Sequence, residues 1–385
     1  MDLYFLSVLI FVLVLSILIY KDRKNIEFNY VLLIRRTKFG IRFLDKMAKP
    51  KLFWEILGNF GIGIALFLMF SGFFSLIEYN KLLLAGKVKM PGLSFILPSI
   101  KSEVESGPGY LLLPFWFWLI IIVSVIVPHE LLHGIMSRVE KINVKSVGVM
   151  LLTILPGAFV EPDEKQLKKS KLMCKLRVFA SGSLANFIVY LIVFNLTSSI
   201  IWPYFVPGPI VLKEVNVSSP AEQAGLKPGM IISEINGKPV KLTYEEYLTG
   251  SRYLLEETKE VKPGDEISII ANGTEFKIKV GSNPKNETLP YLGIIYSPVT
   301  INEKISLGFI FQLLTWMWII NYAIAVFNIL PIYPLDGGMI IQSIVEKINK
   351  KHAKKITLVI TIITLTILAF TFIVPFLLDI ASRLS

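Results

Sequence analysis

The chain is 385 residues long and 53% hydrophobic, with 26 phenylalanines and a mean hydropathy of +0.61, values that exclude an ordinary soluble globular protein and point to several membrane spans. The net charge of +11 calls for no nucleic-acid partner, because the basic residues cluster between apolar runs, where the positive-inside effect accounts for them. Cys174 is the only cysteine, which excludes an intrachain disulfide and a thiolate metal site.

Residues 3–20, LYFLSVLIFVLVLSILIY, are long and apolar enough for a first span. No secretory cleavage site follows, so this run is read as a retained anchor. Residues 21–54 carry ten Lys or Arg against Asp22, Glu27 and Asp45, which places them in the cytoplasm and the N-terminus outside. A second span is expected at about 57–77, followed by a loop to 109 punctuated by Pro and Gly. The third span, about 110–136, holds the most informative stretch, VPHELLHG from Val127 to Gly134. His129 and His133 are four apart and stack on one helix face. Two imidazoles so placed can hold one metal ion, and Glu130 can act as general base on a water bound to it. The chain has only three histidines, and two of them lie here. A carboxylate at the end of a long apolar run is expensive and usually functional.

Residues 141–163 read as a hairpin or re-entrant segment, broken at Pro156 and Gly157. A charged cytoplasmic stretch, 161–177, leads to a fourth span from about 178 to 202. That span contains FASGSLANF, whose Ser181, Gly182, Ser183 and Ala185 permit close helix packing. Asn186 within it can hold a substrate carbonyl or backbone, or pair with another helix, and the residues alone leave both open. Residues 209–295 change to short β-like runs and turns of the size of one small domain. Within them, SSPAEQAGLKPGMIISEINGKPV, Ser218 to Val240, resembles a PDZ domain in its bacterial and archaeal form. Such a domain can receive an extended peptide beside an exposed strand, or serve only as a spacer or gate.

The fifth span, about 306–330, runs into PIYPLDGGMI. Lys347, Lys350, Lys351, Lys354 and Lys355, with His352, precede a sixth span at about 356–379. Six spans with both termini outside fit the alternation of basic loops. In that topology the third and fifth spans both travel inward, one ending after His133 and the other before Asp336, so their polar groups reach one depth near the cytoplasmic face. Asp336 before Gly337 also fits a plain turn. Two imidazoles and one carboxylate leave a fourth tetrahedral position for water, as in a catalytic zinc site.

HELLHG, the N-x-x-P-x-x-P-L-D-G stretch from Asn328 to Gly337 and the intervening PDZ-type domain together resemble the site-2 protease family of intramembrane metalloproteases. The resemblance implies that His129, His133 and Asp336 bind Zn2+ and that Glu130 is the catalytic base. It further implies that the small-residue stretch Gly182 to Asn186 and Asn328 lie at the site. Asn186 is given the oxyanion role, with Gly182, Asn328 and Gly337 supporting. The expected fold is a multi-span α-helical membrane protein of about six transmembrane helices with one inserted small mixed-β PDZ-like domain. Its expected parts are an N-terminal membrane region, 1–108; a first protease part, 109–205; the PDZ domain, 208–297; a second protease part, 303–345; and a C-terminal span, 355–385.

The expected activity is zinc-dependent hydrolysis of peptide bonds within or near transmembrane helices of membrane proteins. The expected partners are that substrate helix, a peptide or substrate ectodomain at the PDZ domain, and the lipid bilayer. The protein is placed in the cell membrane with the PDZ domain outside and the active site toward the cytoplasm. Two rivals stand beside this reading. One is a non-catalytic scaffold binding exported peptides through its PDZ domain. The other is a metal transporter, for which further polar groups along the spans are scarce.

Overall fold

The computed structural model describes residues 3–38, 40–88, 91–107, 109–152, 155–198, 209–241, 261–283, 286–298 and 307–384. Its helices are α1 (Leu3–Asp22), α2 (Ile41–Met47), α3 (Lys51–Leu84), α4 (Phe115–Val139), α5 (Glu164–Lys169), α6 (Leu172–Leu196), α7 (Pro220–Gln223), α8 (Leu307–Ile329), α9 (Asp336–Ile348) and α10 (Ala353–Leu384). Six of them, α1, α3, α4, α6, α8 and α10, are long and apolar enough to cross a membrane, so the protein is a multi-pass membrane protein with a small inserted mixed-β unit. The expected end of the fourth span at 199–202, the boundary at 208 and the start of the fifth span at 306 lie outside the described residues.

Three expected span boundaries move. The third span starts at Phe115, because Tyr110–Pro114 is a strand and Pro114 caps the helix. The fourth starts at Leu172: Arg177 reaches Glu140 at 2.7 Å and Lys175 reaches Glu346 at 3.4 Å, so charged residues continue the helix beyond the apolar run. The second runs from Lys51 to Leu84, well past the apolar window.

The basic segment after the first span is not a loop. It folds as β1 (Ile26–Asn29) and β2 (Leu32–Thr37), then α2. The loop before the third span contains β3 (Phe95–Ser99), β4 (Glu105–Gly107) and β5 (Tyr110–Pro114), with β5 between the other two. The segment read as a hairpin is one: β6 (Val144–Leu152) pairs antiparallel with β7 (Leu155–Pro162). It joins the first hairpin in one sheet of order β1-β2-β6-β7, with β7 at an edge. Asp336 opens α9 rather than sitting in an isolated turn.

The chain divides into two compact units, Met1–Phe194 with Leu313–Ser385, and Asn195–Gln312. The core of the first is built from α2, α3, α4, α6, α8 and α9, including Leu44, Leu68, Met136, Leu184 and Ile329. Glycines let α3 approach its neighbours. A Cβ at Gly61 would lie 2.7 Å from Leu184 on α6, and one at Gly72 would lie 2.6 Å from Val326 on α8. Small residues at helix contacts are what packing in lipid requires, since no hydrophobic force drives apolar helices together there.

The second unit holds β8 (Ile210–Val215), β9 (Ile231–Ile235), β10 (Lys238–Pro239), β11 (Glu266–Ala271), β12 (Thr274–Lys279), β13 (Gly281–Asn283), β14 (Asn286–Tyr291) and β15 (Ile294–Pro298). The main sheet runs β12-β11-β9-β8-β15, and β10 pairs with β9. Asn236-Gly237 and Asn272-Gly273 take positive φ at both positions, the two-residue turn that joins twisted antiparallel strands. Ser219 caps α7 by accepting from the Glu222 N–H, and Pro220 is its first residue. Ile210, Leu212, Ile232, Ile267, Ile269 and Ile278 form the core.

Candidate metal centre

Pro128 immediately precedes the first histidine in α4. It has no N–H, so the Ser124 carbonyl loses its helical donor one turn earlier. His129 and His133 follow on one face, with Nε2 atoms 3.2 Å apart. Their side chains are only 13% exposed.

The helix α6 crosses directly against these rings. At Gly182 a Cβ would lie 2.3 Å from His133 Nε2 and 2.5 Å from His129 Nε2, so no side chain fits there while the rings keep their places. The Val178 carbonyl lies 2.8 Å from His133 Nδ1. Ser181 Oγ donates to that same carbonyl at 2.6 Å and lies 3.2 Å from His133 Nδ1. Asn186, fully buried, places its amide 3.3 Å from His129 Nδ1.

Asp336 arrives from the far end of the sequence as the first residue of α9. A carboxylate is favoured there by the positive end of the helix dipole. The turn leading to it is tight: a Cβ at Gly337 would meet the Ile329 carbonyl oxygen at 1.9 Å, and one at Gly338 would meet Tyr333 N at 2.4 Å. Asp336 Oδ2 lies 3.4 Å from His129 Nε2 and 3.2 Å from His133 Nε2, yet among the described residues it has no hydrogen-bond donor.

The donor set fits a metal ion on two counts. A carbonyl only accepts, so His133 carries its proton on Nδ1 and turns a bare Nε2 lone pair toward Asp336. Lone pairs converging in a mostly buried site need a cation between them. The spacings of 3.2, 3.2 and 3.4 Å also match ligands of a tetrahedral zinc, which at bond lengths near 2.05 Å stand about 3.3 Å apart. His129, His133 and Asp336 are a group of metal-ligating side chains among the described residues.

A family model described as peptidase family M50 matches residues 116–371, two-thirds of the chain and all three of these ligands. The chain belongs to peptidase family M50. This M50 peptidase is 30% identical over 364 residues to an uncharacterized protein of Methanocaldococcus jannaschii, covering 94% of this chain and 91% of that one. Part of the chain aligns with a solved structure, the PDZ domain of an SdrC-like protein from Listeria monocytogenes. That alignment covers 23% of this chain and 87% of the other at 23% identity, with a TM-score of 0.19, too slight a likeness to assign a fold. Six membrane-crossing helices, the His-His-Asp cluster and the family together make the M50 peptidase an intramembrane zinc metalloendopeptidase.

The remaining expected residues fall at different distances from this cluster. Glu130, between the histidines, accepts a hydrogen bond from the Val160 N–H of β7 at 2.9 Å. Asn186 and Gly182 touch the histidines, and Gly337 shapes the turn that delivers Asp336. Asn328 is half-buried on the last turn of α8. A further intramembrane amide stands beside the expected residues. Asn321 on α8 is fully buried and donates to Ser124 Oγ on α4 at 3.0 Å, tying together helices that lead to His129 and to Asp336. Its signal was present as a lone amide inside an apolar run.

Proposed function

We propose that this M50 peptidase cuts a transmembrane helix of a membrane-protein substrate after that helix unwinds locally, with Glu130 as the general base. The observation that carries the reading is the meeting of His129 and His133 with Asp336 within a membrane-spanning bundle. Zinc held by these three supplies, when bound, Lewis-acid polarisation of a carbonyl and acidification of water. Glu130 takes the proton from the attacking water and returns it to the leaving amine. Its hydrogen bond to Val160 N–H holds the carboxylate in position for both transfers. An intact helix hides its carbonyls in its own hydrogen bonds, so the substrate must present an extended segment. The edge position of β7 supports this, since an edge strand offers backbone groups to an extended chain. An apolar cavity of about 370 Å³ runs beside it, lined by Leu15 and Leu18 of α1, Ile126 and Val127 of α4, and Pro156 and Gly157 of β7.

The smaller β unit acts as a PDZ-type module outside the membrane, binding or excluding the substrate's ectodomain or the stub left by an earlier cut. Both termini lie outside and the metal centre lies toward the cytoplasm, following the basic segments 21–54 and 341–355.

The test is the Glu130→Gln variant of the full-length protein with a membrane-protein substrate in lipid. Zinc content should match the wild type, and cleavage should fall by about 10²–10⁴-fold, the usual contribution of a general base. Cleavage at the wild-type rate by this variant would overturn the reading. Helix-breaking residues placed in the substrate span should raise turnover, and no change would show that unwinding is not limiting.

A further inference from the structure

We propose that Asn186 is a positioning residue for His129: its amide oxygen holds the proton on His129 Nδ1 and so leaves Nε2 bare for the metal. The inference rests on the triad being the zinc site. A neutral imidazole that ligates through one nitrogen carries its proton on the other, and that N–H needs an acceptor to fix the ring. For His133 the acceptor is the Val178 carbonyl at 2.8 Å. For His129, among the described residues, the group opposite Nδ1 is the amide of Asn186, at 3.3 Å. With the amide nitrogen in that place, Nδ1 would have to accept, and the proton would move to Nε2. There it would point among His133 Nε2 and Asp336 Oδ2, 3.2 and 3.4 Å away, where the metal belongs. A half-turn of the amide exchanges its oxygen and nitrogen without moving the side chain. Asn186 Oδ1, otherwise buried with no hydrogen-bond partner among the described residues, then accepts from Nδ1–H.

The placement on α6 agrees. Gly182 and Asn186 are one turn apart on the same face, and the first lies against both histidine rings while the second meets His129 from behind. An oxyanion donor must instead aim its N–H at the substrate oxygen. Asn186 is 0% exposed and its amide is engaged with a ligand.

The experiment measures zinc affinity of the purified full chain by competition with a chelator, alongside cleavage, for wild type, Asn186→Ala, Asn186→Leu and Asn186→Asp. A positioning role predicts zinc affinity about 10–100-fold weaker in Ala and Leu. It predicts near wild-type zinc affinity and retained cleavage in Asp, whose carboxylate accepts but cannot donate. Unchanged zinc affinity in Ala and Leu, with cleavage lost in Asp as well, overturns the proposal in favour of a donor to the substrate. If Ala and Leu fail to fold, Asp alone decides: retained zinc and cleavage support the proposal, and retained zinc with lost cleavage overturns it. A wild-type protein that binds no zinc overturns the metal reading itself, and the proposal with it.

Discussion

A methyl group at residue 182 would stand 2.3 Å from one zinc-ligating nitrogen and 2.5 Å from the other. Gly182→Ala is therefore expected to push the rings apart and abolish stoichiometric zinc binding, read by metal analysis of the purified protein. Full zinc content would mean that α6 yields without disturbing the histidines. Asp163 gives a second test at this scale. The Gln166 backbone N–H, with lesser help from Lys145 and the Lys165 N–H, holds its carboxyl below the usual carboxylate range. A lowered folded-state value means that the cap stabilises α5 above the ordinary carboxylate range and is lost as pH falls through the lowered value. Protection of the Lys165 and Gln166 amides, measured against the intrinsic exchange rate at each pH, should fall as the pH drops below about 4, and Asp163→Ala should show low protection at every pH. HELLH and Asp336 were legible because scarce side chains in apolar runs demand a reason. The Val178 carbonyl and the Val160 N–H were not, because backbone groups are the same under every letter. Asn186 was visible as a polar residue in a span, but its partner was not, since helix crossings set which ring it meets.

Helices and strands differed in how far they could be read. Spans follow from length and composition, and the described residues hold six where six were expected. Their ends moved wherever charged residues found partners, as at Arg177 and Glu140. The pairing of β2 with β6 joins residues 32–37 to 147–152, a long-range contact that no local pattern announces, whereas Asn236-Gly237 and Asn272-Gly273 mark their hairpins directly. At the helix contacts, Gly72→Ala tests packing. Val326 is β-branched and stiff in a helix, so it cannot swing away from a Cβ 2.6 Å distant. The expected loss is about 1–3 kcal/mol, the usual range for overpacking, measured by reversible unfolding in detergent. No loss would show that α3 and α8 separate freely.

At the scale of the molecule, all three zinc ligands belong to the unit formed by Met1–Phe194 and Leu313–Ser385. Replacing residues 209–298 with a flexible linker should therefore leave zinc content unchanged. It should alter which full-length substrates are cut while sparing those trimmed to a bare span. Equal cleavage of every substrate would leave the smaller unit without a role in selection. The ribosome also meets these parts in a fixed order. His129 and His133 are synthesised first, and Asp336 follows only after the smaller unit and α8. At ~5–20 residues per second, the chain carries an incomplete ligand set for tens of seconds beside other nascent membrane proteins. Throughout that interval it cannot close the zinc site, so its own biogenesis proceeds with the protease disarmed and the last element to matter, α9, acts as the safety catch.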